Sequence, residues 1–427
     1  MEPELQICMQ HKLGGNPISM KSRIAILHYA SPPGIGGVES TIGHHARKLV
    51  ELGYAIRVIS GMGDSCDRRI ETVIHPLFGS RDAQIVATKQ ELDIGIVSSA
   101  FESLVSEIEA LLHQVLNDCD VCIVHNIHNM NKNLALTAAL YRLSHPRLIA
   151  WCHDLAWTNP QYLGELHEGY PWNLLRQVWS NTRYVTISQS RRAELGILLG
   201  IPPESIPVIT PGIDVAQFLQ WTETTRFLEE KLHLLDSDLL FLLPARLTRR
   251  KNIALALHIL HHLRQIDDQD YRLIVTGPPG PHNPANPGYL EELLALRKTL
   301  QLETAVHFLY ELNDPPLIPD DTTLSNLYQL GDGLLFPSMQ EGFGIPILEA
   351  GIVSLPIFCA DIPPFRETGL NDVQFFDPDQ DSPAQIAAMI HNYFKDHARQ
   401  RLKARVRHHY RWEVIVRQQL VPLLEEK

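Results

Sequence analysis

LLFLLPARLTRRKNIALALHILHHL, residues 239–263, changes character twice. Five consecutive apolar residues, Leu239 to Leu243, read as a strand covered on both faces, because a strand with one wet face would alternate apolar with polar. From Asn252 onward the apolar positions Ile253, Leu257, Leu260 and Leu263 recur at helical spacing. The turn between them, ARLTRRK, gathers Arg246, Arg249, Arg250 and Lys251. A buried strand, a charged turn and an amphipathic helix make up the repeating half of a doubly wound sheet.

The same alternation runs along the chain. RIAILHYA (23–30), YAIRVIS (54–60), VCIVHN (121–126), RLIAWCHD (147–154) and RYVTIS (183–188) precede this stretch. YRLIVTG (271–277), VHFLYE (306–311), GLLFPS (333–338) and LPIFCAD (355–361) follow it. Between the first two lies VESTIGHHARKLVELG, with Val38, Ile42, Ala46, Leu49 and Val50 on one helical face and Gly53 as a stop. The fold class is therefore α/β, with parallel sheets covered on both faces. At 427 residues the chain exceeds what one core serves, about 250–300, so two domains are expected. PGID at 211–214 opens a polar interruption, and the expected organisation follows from it. It comprises a flexible N-terminus over 1–21, an N-terminal Rossmann-like domain over 22–210, a linker over 211–236, a C-terminal Rossmann-like domain over 237–400, and a basic helix over 401–427 packing back on the body.

The formal net charge of −12 repels nucleic acid and anionic membrane over most of the surface, so an anion site must be a local basic cluster. The basic C-terminal segment leaves a peripheral lipid contact open beside the reading as a solvated helix. Six cysteines are scattered, and the CxxC of Cys119 and Cys122 has no second pair to complete a zinc site. The first residues lack a signal-peptide apolar core, and no run approaches the about 20 apolar residues of a membrane span. A cytoplasmic protein is the expectation.

Ligands of such sheets bind beyond the carboxyl ends of the strands. There the sequence becomes peculiar: SPPGIGGVE, HNIHN, HDLAW, PARLTRRK, TGPPG, PSMQEGFG and CADIPP. Gly34 and Gly36 fit half of a dinucleotide fingerprint, but Glu39 stands where the third glycine belongs, which disfavours hydride chemistry. Gly36 and Gly37 serve either as a tight turn or as a close approach of backbone to phosphate at a helix start. Arg246 and Lys251, five apart across a turn, can reach one diphosphate with the residues between them pointing elsewhere, or belong to a solvated loop.

QEGFGIPILEAG, residues 340–351, places Pro346 in a first helical turn. Gly342, Phe343 and Gly344 then approach a helix N-terminus whose N–H groups suit an anion or sugar hydroxyls. Glu341 precedes the helix and Glu349 lies about one turn inside it, so the two acids can hold different parts of one ligand without crowding. Glu349 also fits an ordinary acid favoured by the helix dipole.

EGFGIPILE, ARLTRRK, GGVE after the first strand, PGID at the junction and CADIPPFRE together resemble a retaining glycosyltransferase of family 4 (glycosyl transferases group 1), from about residue 22 to 410. The resemblance implies the GT-B fold, two Rossmann-like domains facing across a cleft, and transfer of a hexose from a UDP-glucose or GDP-mannose type of donor; a small polar acceptor is expected only because the sequence shows no firm membrane anchor. It implies no metal ion and no cofactor, the nucleotide-sugar being a co-substrate. Carried over by position, Arg246 and Lys251 grip the diphosphate, Glu341 and the Gly342–Ile345 backbone the donor sugar, and Glu349 the ribose. Gly37, with Gly36 before it, faces the phosphates, and His153 stands near the transferred sugar. Asp154, His125 and Asn126 are candidates to touch acceptor. Ala245, Thr210 and Tyr310 depart from the family pattern. A glycoside hydrolase using Glu341 and Glu349, whose carboxyls would need to oppose each other at about 5–5.5 or 6.5–9.5 Å, is one rival reading. A nucleotide-sugar-binding protein without turnover is another. The oligomeric state is left open by these residues.

Overall fold

The computed structural model describes residues 6–7, 21–34, 36–65, 67–280, 286–395 and 397–426. Most of the expected N-terminal segment, Cys8, Cys66 and residues 281–285 of the proline-rich loop lie outside the described residues. The chain divides into two compact units, Met1–Gly212 with Trp412–Lys427, and Ile213–Arg411.

In the first unit, strands β1 (Gln6–Ile7), β2 (Lys21–His28), β3 (Tyr54–Ser60), β4 (Glu71–Ile74), β5 (Val121–His125), β6 (Arg147–Cys152) and β7 (Thr182–Thr186) form one sheet in the order β1-β4-β3-β2-β5-β6-β7. All neighbours run parallel except the two-residue β1 on β4. Numbered from β2, the parallel strands take the doubly wound order, with the sequence reversing direction between β2 and β5. The helix Ser99–Leu116 begins where Ser98 Oγ accepts the Phe101 N–H at 3.3 Å, and it buries Phe101, Leu104, Val105, Ile108, Leu112 and Val115 against one face. On the other face the helix Gly37–Glu51 shares its core with Trp412, Ile415, Val416, Leu420, Leu423 and Leu424.

The second unit contains β8 (Leu239–Leu243), β9 (Tyr271–Val275), β10 (Val306–Phe308), β11 (Gly333–Phe336), β12 (Ile357–Ala360) and β13 (Gln374–Phe376), all parallel, in the order β10-β9-β8-β11-β12-β13. This is again the doubly wound order, reversing between β8 and β11. The apolar run Leu239–Leu243 is β8, buried throughout, as its unbroken hydrophobicity requires.

Two expected boundaries shift. Residues 213–236, read as a linker, fold within the second unit as helices Val215–Phe218 and Glu223–Leu232, because Leu228 and Leu232 are buried in its core. The basic tail is two structures. The helix Ala398–His409 belongs to the second unit, held by Lys403 and Arg407 at the buried carboxylate of Asp332, whereas 412–426 returns to the first. Among the described residues no helix is long and apolar enough to cross a membrane.

Candidate functional site

Ligands of open parallel sheets bind at the carboxyl edge, in the crevice where strand order reverses. In the second unit that point lies between β8 and β11, and the loops leaving these strands are the two that the sequence singled out. After β8 the chain makes a 3₁₀ turn, Arg249–Lys251, and Asn252 at φ 48° turns it into the helix Ile253–Ile266. Asparagine tolerates that left-handed conformation better than most residues. The turn tucks Lys251 inward, leaving it 9% exposed, while Arg246 stays exposed without a side-chain partner among the described residues.

The two loops are tied together at Glu341. Lys251 Nζ donates to Glu341 Oε1, and Arg250 Nη1 donates to Glu341 Oε2 at 3.1 Å and to the Gln340 carbonyl at 3.0 Å. Met339 N–H donates to the Arg250 carbonyl at 2.8 Å. Lys251 also stands 5.3 Å from the centre of the Phe336 ring. Burial lowers its ammonium below the ordinary lysine value, and Glu341 opposes that effect. The expectation that the residues between Arg246 and Lys251 point elsewhere is corrected for Arg250, which shares the carboxylate with Lys251.

Beyond Glu341, no described residue accepts a hydrogen bond from the backbone N–H of Gly342, Phe343 or Gly344, and the helix Ile345–Ile352 begins with Pro346 in its first turn. Gly344 lies at φ 96°, and a Cβ there would sit 2.9 Å from Phe365 Cδ1. Gly344→Ala is therefore expected to cost about 1–3 kcal/mol through backbone strain, read as a lowered thermal midpoint. Wild-type stability would show that the loop relaxes freely.

Glu349 sits apart from this knot. Its Oε2 accepts the Tyr328 hydroxyl at 2.6 Å, and Tyr328 is itself buried on the helix Asp321–Leu330. Burial first, then the bond to Glu349, raises the phenol far above its usual value, so it remains a donor. The two acids thus belong to separate hydrogen-bonded sets, as their placement before and inside the helix anticipated. Tyr328 falls in no motif, and only its place on a helical face, at Leu324, Leu327 and Tyr328, hinted at burial. Ser338 Oγ after β11 and Thr248 Oγ1 after β8 are buried without partners among the described residues.

The β9 loop supports this edge. Gly277 N–H donates to the Ala245 carbonyl at 3.2 Å and Leu247 N–H to the Pro278 carbonyl at 2.9 Å. A Cβ on Gly277 would meet the Ala245 carbonyl oxygen at 2.4 Å, so the start of the proline-rich loop presses on ARL and demands glycine.

In the first unit the reversal between β2 and β5 gathers His28, Gly36, Gly37, His125 and, from neighbouring β6, His153. Gly37 opens its helix with nothing within 4 Å of where a Cβ would be, whereas a Cβ on Gly36 would strike the Glu39 carboxylate. The Glu39 carboxylate ends a flexible side chain that can swing aside, so this contact alone does not require glycine at 36, and the space beside Gly37 is open. Asn126, at φ 58°, accepts the N–H of His153 at 2.8 Å and of Asp154 at 3.2 Å through Oδ1, and donates to Asp154 Oδ2 at 3.2 Å. Its amide is spent on the turn. His125 is fully buried behind His153, its Nδ1 3.0 Å from His153 Nε2. Both were expected to touch acceptor, and the packing corrects this: of the three candidates Asp154 alone keeps an outward side chain. Burial lowers His153 to about 4, with His28 adding to the effect and Asp154 opposing it. Burial likewise lowers His28 to about 4 and His45 to about 3. No group of three or more His, Cys, Asp or Glu among the described residues is arranged to hold a metal ion.

Two family models match this chain. The model of Glycosyltransferase Family 4 matches residues 35–217, and that of Glycosyl transferases group 1 matches residues 225–409. Mannosylglucosylglycerate synthase of Petrotoga mobilis is 23% identical over 65% of this chain and 67% of its own length. The O-antigen chain mannosyltransferase RfbU of Salmonella typhimurium is 25% identical over 48% of this chain, which thus spans about half (49%) of that relative. The crystal structure of WaaG, a glycosyltransferase involved in lipopolysaccharide biosynthesis, aligns over 95% of this chain and all of its own, at 15% identity. Its TM-score of 0.36 is too low to bear on any residue's placement. The two family models together take in both units and the loops at both strand-order reversals, and the chain belongs to the family 4 glycosyltransferases.

Proposed function

We propose that this glycosyltransferase moves a hexose, with retention at the anomeric carbon and without a metal ion, from a nucleotide-diphosphate sugar to a hydroxyl of a small polar acceptor. The observation that carries the reading is the Lys251–Glu341–Arg250 knot at the second unit's strand-order reversal, beside the N–H groups of Gly342 to Gly344, which have no acceptor among the described residues. In an acidic chain this edge concentrates positive charge and oriented donors where an anionic ligand of a doubly wound sheet binds.

Breaking the anomeric carbon–phosphate bond leaves negative charge on the diphosphate and positive character on the sugar. Lys251, held by the fold, and the glycine-loop N–H groups stabilise the diphosphate as that charge grows, and the exposed Arg246 adds its charge from the edge. Glu341 balances Lys251 and Arg250 and accepts from sugar hydroxyls when phosphate takes over the cations. Glu349, oriented by Tyr328, accepts from the ribose hydroxyls. The expected retention follows the family pattern, in which the leaving phosphate takes the acceptor proton on the face it vacates. Both relatives named above carry mannosyl in their names, so GDP-mannose heads the list of donors, with UDP-glucose next.

A thermal-shift screen of GDP- and UDP-sugars, followed by assay of nucleoside diphosphate release, tests the reading, because a ligand that binds only the folded chain raises its melting temperature. One nucleotide-sugar is expected to stabilise the protein and to be turned over with an acceptor. Release of sugar from a simple glycoside with no nucleotide present would overturn it. Tyr328→Phe is expected to raise the KM for the donor about fivefold with kcat held, the loss of one hydrogen bond that orients a binding group. A fall in kcat instead would place Glu349 in the chemistry.

A further inference from the structure

We propose that His125 is a positioning residue which, by donating its Nδ1–H to His153 Nε2, fixes the tautomer of His153 so that this ring presents an N–H donor, at Nδ1, to the substrate. The inference rests on the reading that His153 meets the sugar, and it adds a residue to which no substrate contact is open.

The hydrogens follow from the partners. A neutral imidazole carries one N–H and one bare nitrogen, and the partner of each decides which is which. The two rings meet at 3.0 Å, Nδ1 of His125 against Nε2 of His153, so one of the two nitrogens must carry the hydrogen. The other nitrogen of His125, Nε2, is buried with no partner among the described residues. It is enclosed by the rings of Trp151 and His45, whose centres lie 5.6 and 5.8 Å from that of His125. Orphaned buried N–H groups are rarer than unmet acceptors, and since Trp151 Nε1–H and both His45 nitrogens already lack partners among the described residues, a bare Nε2 on His125 spares a further unmet donor. The His125 hydrogen therefore sits on Nδ1 and points at His153.

His153 has then no choice. Its Nε2 is an acceptor, and as a neutral ring it carries its hydrogen on Nδ1, the nitrogen that no described residue engages. Burial, the largest influence on both rings, keeps them neutral at pH 7. His125 is in turn held from behind. His28 Nδ1 lies 2.8 Å from the His125 carbonyl, which only accepts, and Asn126 fixes the His153 backbone from the adjacent position. A sugar hydroxyl can donate or accept, so a ring locked as a donor selects one orientation of the hydroxyl that it meets.

Long-range ¹⁵N–¹H spectra of the full chain labelled in histidine, recorded near neutral pH without substrate, test the assignment. His153→Gln identifies the His153 signals. The expected result is hydrogen on His153 Nδ1 in the wild type and in His125→Asn, whose amide N–H can stand where the imidazole Nδ1–H stood. His125→Leu is expected to move His153 towards the Nε2–H form and to lower kcat about tenfold, the worth of one hydrogen bond, while His125→Asn retains kcat. Hydrogen on His153 Nε2 in the wild type would overturn the proposal, as would an unchanged tautomer in His125→Leu or failure of His125→Asn to restore turnover. Should His125→Leu not fold, the wild-type spectrum and the His125→Asn kinetics decide the matter. The spectra need no sugar, so they separate an error in the tautomer from an error in the assigned reaction.

Discussion

Lys251→Ala is expected to lower kcat by about 10²–10³-fold, the usual loss when one fixed donor to a developing oxyanion is removed. The size of the effect follows from where the ammonium sits. Lys251 is 9% exposed, beside the Phe336 ring, and water cannot take over its place as readily as it could for an exposed lysine. The charge it faces grows as the sugar–phosphate bond breaks, so kcat should fall more than the donor's KM rises. Arg246, exposed and without a side-chain partner among the described residues, should matter less when truncated, because solvent screens its charge. Steady-state kinetics with the donor found in the thermal-shift screen measure both. Near-normal turnover in Lys251→Ala would remove the residue from the site.

Asp332→Ala is expected to destabilise the second unit by about 3–5 kcal/mol, the cost of leaving a buried charge without its partner. Asp332 is 1% exposed and precedes β11, where its Oδ2 accepts from Arg407 Nη1 at 2.5 Å and from the Leu240 N–H at 2.8 Å, and Lys403 Nζ lies 3.3 Å from Oδ1. Arg407 is itself 3% exposed, so removing the carboxylate strands a guanidinium in the interior. Burial, the largest influence on Asp332, opposes ionisation, but Arg407 and Lys403 outweigh it and hold the carboxyl below its ordinary value. The sign follows: the folded value lies below the unfolded one of about 3.9, so this stabilisation is complete above that pH and is lost as pH falls through the folded value. Asp332→Ala with Arg407→Leu should recover much of the loss, since replacing both partners of a buried pair by apolar groups is often near neutral. Calorimetric unfolding measures these differences, and an unchanged midpoint in Asp332→Ala would show that Arg407 finds water.

Much of this architecture was legible because parallel strands buried on both faces leave unbroken apolar runs. LLFLL, YRLIV and RLIAWC needed no partner to be recognised. ETVI and QFF, which became β4 and β13, are too short and too polar to announce themselves. The return of 412–426 to the first unit was hidden by the cations before it. Its apolar stripe of Trp412, Ile415, Val416, Leu420 and Leu423 was in plain view, but nothing in a stripe names the sheet that it covers. At the site, position along the chain was readable and direction was not. That ARLTRRK and EGFGIP end neighbouring strands follows from strand order, yet only the 3₁₀ turn at Arg249–Lys251 brings Arg250 to Glu341 and leaves Arg246 exposed. His125 looked like an edge residue because it ends a strand. The aromatic rings of Trp151 and His45, distant in sequence, close over it instead.

Calorimetric titration of wild type and Lys251→Ala with GDP, UDP and the corresponding nucleosides tests most directly whether the edge between β8 and β11 grips a pyrophosphate. The account predicts that one of the two diphosphates binds the wild type, that Lys251→Ala weakens it by about tenfold or more, as expected for a charge-assisted bond, and that the nucleoside's affinity is unchanged. Equal affinity of both proteins for the diphosphate, or a loss that extends equally to the nucleoside, would contradict it.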